Sequence, residues 1–153
     1  MRDNQRSKVY NWEEPYFAEV DNPSDPMSSE ECLKFANECL KLTGSLKWHP
    51  NLSIRANSKS WAEWDFYHET LVLPLWARNK TVICHEVSHI IVGEQIDGWH
   101  GAKFVMMYIK LLDYFNLADK QNLLHEAKLY SVKVANENEV PKIRVKKCKR
   151  LRG

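Results

Sequence analysis

Apolar positions recur at helical spacing through residues 28–44. Leu33, Phe35, Ala36, Cys39, Leu40 and Leu42 give that stretch an apolar side. Ser28 or Ser29 caps it, Glu30 and Glu31 fill its first turn, and Gly44 stops it. The period then changes to two. Residues 52–56 and 61–66 alternate on either side of a turn at 57–60, and 70–74 is a short apolar strand, so the region reads as an antiparallel meander. Three helical patterns follow. The first runs from Lys80 to Val92 behind the cap Asn79, with Val82, Ile83, Val87, Ile90 and Ile91 making it apolar enough to be buried. The second starts near His100 and runs through Phe115, and the third covers about 118–132. Ahead of these elements, residues 8–20 mix aromatics with acids. Val9 and Tyr10 suggest a strand there, which Pro15 confines to an edge or ends. About four helices beside a small antiparallel sheet predict an α+β fold.

Length and composition narrow this picture. The chain has 153 residues, 44% hydrophobic and 27% charged, which suits one globular domain. No apolar run reaches the roughly 18 residues of a spanning helix, so no membrane passage is expected. The polar N-terminus lacks the apolar stretch of a signal peptide, which predicts a cytoplasmic protein. Cys32, Cys39, Cys84 and Cys148 form no C-x-x-C pair and are expected as free thiols. Charge is uneven. Lys142, Arg144, Lys146, Lys147, Lys149, Arg150 and Arg152 crowd the last twelve residues, and the rest of the chain is net acidic. A domain over 1–141 with a basic tail over 142–153 is expected. That tail is either a solvated terminus or a contact for nucleic acid or another polyanion.

The candidate chemistry lies in the first of the three consecutive helices, at His85-Glu86-Val87-Ser88-His89. Residues i and i+4 share a helix face, so His85 and His89 can point two imidazoles at one ion. Glu86 lies about 100° round the helix. It flanks that ion without having to ligate it, where a general base for an activated water belongs. A catalytic zinc site takes three protein ligands and keeps one position open. The next helix offers no Glu, and a metzincin pattern is absent because Glu94 and Gln95 follow the motif. His100, in Asp97-Gly98-Trp99-His100-Gly101, is the best third ligand, with Asp113 and His68 as alternatives. Tyr67 or His68 could hydrogen-bond an oxyanion. No G-x-S-x-G elbow and no Gly-rich phosphate loop is present.

The pattern of His85-Glu86-Val87-Ser88-His89 followed by His100-Gly101-Ala102-Lys103-Phe104 resembles that of small single-domain zincins, SprT-like metallopeptidases among them. A family of small metallohydrolases of actinobacteria and their phages is more similar. It shares an opening like Arg2-Asp3-Asn4-Gln5-Arg6-Ser7-Lys8-Val9-Tyr10 and a stretch like Leu73-Pro74-Leu75-Trp76-Ala77-Arg78-Asn79. The resemblance implies a zincin-like fold, Zn2+ on His85, His89 and His100, and Glu86 as catalytic base. It supplies no substrate. The cysteine zinc ribbon of SprT-like enzymes is missing here. The expected function is a zinc-dependent metallohydrolase acting on a peptide or protein. The alternative is a non-catalytic zinc-containing scaffold that docks on nucleic acid or a larger assembly through its tail.

Overall fold

The computed structural model describes residues 2–20, 25–57 and 61–144. Its elements run α1 (Arg6–Val20), α2 (Ser29–Thr43), β1 (Ser53–Asn57), β2 (Glu63–Asp65), β3 (Thr70–Pro74), α3 (Lys80–Val92), α4 (Ala102–Tyr114) and α5 (Lys120–Leu129), joined by short 3-10 turns. The class is α+β, with five helices and a three-stranded sheet.

The first departure from the sequence pattern is α1, which stands where a strand was expected. Its buried positions Val9, Trp12 and Glu13, with Gln5 just before it, fall at helical spacing rather than in alternation. The Trp12 indole N–H donates to the Leu123 carbonyl at 3.2 Å, and its ring meets Tyr108 edge-on. Pro15 lies inside the helix, on its exposed side. A proline there costs about 3 kcal/mol. Full burial of a side chain such as Val9 is worth about 1.5–3 kcal/mol, and Trp12 buries more surface still. Tertiary packing therefore outweighs the local penalty.

The second departure is the sheet, which is mixed rather than an antiparallel meander. The strand order is β1-β3-β2. β1 runs parallel to β3, with Ser53 opposite Thr70, and β2 runs antiparallel to β3, with Trp64 opposite Leu71. All five residues of β3 are buried, as suits a central strand. The dozen residues 58–69 between β1 and β3 are enough for a parallel return. Alternation in a strand marks its faces and says nothing about its neighbour.

Helix ends follow local chemistry closely. Ser28 and Glu31 form a capping box on α2, and Gly44 closes that helix. Asn79 accepts from the Val82 N–H at 2.9 Å and starts α3. α4 begins at Ala102, two residues later than expected, and α5 is shorter than expected, beginning behind the cap Asp119.

α3 packs between α2 and α4 and also touches α1 and β2. The core about it includes Phe35, Leu40, Leu71, Phe104, Tyr108 and Leu111, all buried. Cys32, Cys39 and Cys84 are free and belong to this core. After α5 the chain returns across the molecule. The Ala135 N–H donates to the Ala102 carbonyl, and the Arg144 N–H donates to the Leu42 carbonyl at 2.7 Å. Arg144 thus lies against the end of α2 and Pro141, next to Lys142, accepts from Lys110 of α4, while the rest of the basic stretch, with Cys148, lies outside the described residues. No helix among the described residues is long and apolar enough to cross a membrane.

Candidate metal centre

α3 is buried from Thr81 through Ile90, so its polar residues are largely withdrawn from solvent. His85, Glu86 and His89 are each under a tenth exposed. Uncompensated burial of three such groups is costly, and the neighbouring segments supply the compensation. Ser88 bonds back to the Cys84 carbonyl at 2.7 Å and plays no part in the cluster.

His100 arrives from the loop between α3 and α4. That loop is pinched by reciprocal backbone bonds between Gln95 and Gly98. Its side chains also satisfy the free N–H groups of α4. Asp97 accepts from the Ala102 N–H and Gln95 from the Lys103 N–H. Two glycines make this path possible. A Cβ at Gly101 would stand 2.1 Å from Asp97 Oδ1. Gly98 has φ +106°, and a Cβ there would stand 2.6 Å from Asp3 Cα. The loop therefore turns His100 back over α3.

The result is a convergence of three imidazoles. The Nε2 atoms of His89 and His85 are 3.2 Å apart, and those of His100 and His85 are 3.4 Å apart. Phe104 underlies all three rings, stacked on His89 with centroids 4.3 Å apart. His85 Nδ1 donates to Glu13 Oε2 at 2.7 Å, and His100 Nδ1 donates to Asp3 Oδ2 at 2.6 Å. A carboxylate only accepts, so the Nδ1 proton of each ring is committed. In the neutral rings the Nε2 lone pairs of His85 and His100 then face the same small space. Two lone pairs repel, and a cation between them satisfies both. These three histidines could hold a metal ion.

The electrostatics favour the neutral, donor form at two of the three rings. Burial, reinforced by His85 and His100, holds His89 well below the ordinary histidine range. Burial and His85 push His100 down to about 4 against the pull of Asp3. For His85 burial also opposes charge, but Glu13 and Glu86 carry its pKa above the ordinary value. His89 Nδ1 is buried without a well-aligned hydrogen-bond partner, and the Trp99 backbone gives it only weak support.

Comparison of the chain with protein-family models, with curated proteins and with solved structures finds no match.

Glu86 stands beside the triad. Burial raises its pKa from 4.5 to about 7, with Glu13 and Glu63 adding to the rise and His85 and the Trp64 backbone opposing it. Two cavities meet at His85 and Glu86. One, of about 340 Å³, holds the three histidines with Asp3, Trp64 and Trp99 on its walls. The other, of about 420 Å³, runs past Glu14, Phe17 and Trp76. Arg6, Tyr10 and Trp61 border both.

Other candidates from the sequence lie elsewhere. Asp113 is exposed and accepts from the Lys120 N–H at the far end of α4. His68 is bonded to Asp65, and Tyr67 is 90% exposed; neither lines the two cavities at Glu86. Sequence reasoning missed Asp3, Glu13, Arg6 and Tyr10. Asp3 and Glu13 meet their histidine partners 97 and 72 residues further along the chain, beyond what local pattern can mark.

Proposed function

We propose that this chain is a zinc-dependent hydrolase of zincin-like architecture that cleaves peptide bonds, with His85, His89 and His100 as ligands and Glu86 as general base. The observation that carries the reading is the buried triad beside a buried carboxylate, Glu86, that lines the same cleft. Zinc bonds imidazole nitrogen at about 2.0–2.1 Å, and a tetrahedron of that size has edges of about 3.3–3.4 Å. The two Nε2 separations, 3.2 and 3.4 Å, suit it. No fourth histidine, cysteine or carboxylate joins the three among the described residues, which favours a catalytic over a closed structural site.

Zinc held there would supply Lewis-acid polarisation and a more acidic water. The chain's own groups do the rest. Glu86, with its pKa drawn toward neutrality, takes a proton from the attacking water and returns it to the leaving amine. Arg6 Nε donates to the Tyr10 hydroxyl at 3.2 Å, which leaves the phenol proton to donate toward a substrate carbonyl. β2 pairs with β3 along one side and brings Glu63 and Trp64 to the cleft, so an extended peptide can lie along it. Trp61 and Phe66, 49% and 63% exposed, offer apolar surface at the mouth.

The test is digestion of a proteome-derived peptide library by zinc-loaded protein, read by mass spectrometry. New termini are expected with the wild type and not with Glu86→Gln, at equal zinc content. Identical cleavage by both proteins, or none by the wild type, would contradict the reading.

A further inference from the structure

We propose that Asp3 and Glu13 are positioning residues of the metal centre, so that the N-terminal segment completes the site and sets its affinity for a divalent transition-metal cation. This rests on the metal reading of His85, His89 and His100 above.

Three observations carry the inference. First, each carboxylate fixes a ring by its far nitrogen. Glu13 holds His85 at 2.7 Å, and Asp3 holds His100 by both its ring Nδ1–H and its backbone N–H. A proton fixed on Nδ1 leaves Nε2 as the donor atom, and a carboxylate on that proton makes Nε2 a better one. Second, Glu13 is only 2% exposed, and its ion-pair partner is His85 rather than a lysine or arginine. The charge of so deeply buried a carboxylate is well compensated when the ring it holds shares the charge of a cation. Third, the support is uneven. His89 Nδ1 has no carboxylate and no well-aligned partner. The affinity of the site should therefore depend on the two supported rings.

The segment is also tied down without these carboxylates. Gln5 donates to the His100 and Lys133 carbonyls and accepts from the Lys133 N–H, and the Asn4 N–H donates to the Asp97 carbonyl. Neutralising Asp3 or Glu13 should therefore leave α1 in place and act on the metal.

The experiment is titration of the metal-free full chain with Co2+, read by its visible absorption, and with Zn2+ by competition against a chromophoric chelator. Wild type, Asp3→Asn and Glu13→Gln are compared, with the melting temperature of each metal-free protein. Each variant is expected to bind roughly 10–100-fold more weakly. Each should also give a shifted Co2+ spectrum, with metal-free melting little changed. Asp3 is the more exposed of the pair and carries the test if Glu13→Gln fails to fold. Wild-type affinity and spectrum in both variants would overturn the proposal and leave the metal reading standing. Weaker binding that tracks a lower metal-free melting temperature, with an unchanged spectrum, would overturn it as a merely structural effect. No binding by the wild type would remove the metal reading and this inference together.

Discussion

At residue scale, the feature that separates this cluster from an ordinary buried network is Glu86. It is 5% exposed and set beside a histidine and two further carboxylates. A group chosen only for stability would not stay there, because apolar or amide side chains cost less to bury. Its pKa of about 7 fixes the sign of a pH effect in the metal-free protein. Below pH 4.5 the carboxyl is protonated in folded and unfolded chains alike, and it contributes nothing. Between 4.5 and about 7 the unfolded chain ionises first, so stability falls as pH rises. Metal-free Glu86→Gln should accordingly gain on the wild type from pH 5 to pH 8, as seen in melting temperatures at the two pH values. A gap that closes or reverses over that range would mean that Glu86 is ionised and well compensated without metal. The local half of the site was legible in the sequence because i and i+4 on one helix need no tertiary knowledge. His100 was legible only as the best of several candidates. Asp3 and Glu13 were not legible, because their partners lie 97 and 72 residues away.

At element scale, the helices with clean caps were read closely and α1 was not. Two faces of α1 are engaged. Val9 and Trp12 pack into the core, while Arg6, Tyr10 and Glu13 border the cleft. With a charged residue buried at Glu13 and an aromatic one exposed at Tyr10, such a helix shows little amphipathic contrast, and Pro15 further disguises it. The parallel pairing of β1 with β3 was missed for a different reason. Neighbour choice is set by which strand can be buried on both faces, and only β3 can. α3 is the element that orients His85, Glu86 and His89, and Asn79 fixes where it starts. Asn79→Ala should cost about 1 kcal/mol, or about 2–4 °C in melting temperature for a domain of this size. Thermal unfolding followed by circular dichroism checks this, and an unchanged midpoint would mean that tertiary packing alone holds the first turn.

At the scale of the whole molecule, the centre gathers distant parts of the chain. The N-terminal residues, the middle helix and the α3–α4 loop meet at three nitrogens, and Gln5 ties that junction to the returning segment at Lys133. Burial of this polar junction makes physical sense if a cation sits at its focus. The most direct measurement is elemental analysis of untagged protein, wild type beside His85→Ala, His89→Ala and His100→Ala, after purification with zinc supplied. About one zinc per wild-type chain, lost in all three variants, is the expected result. A wild type that retains no metal, or variants that retain as much as the wild type, would contradict a metal centre at these three histidines.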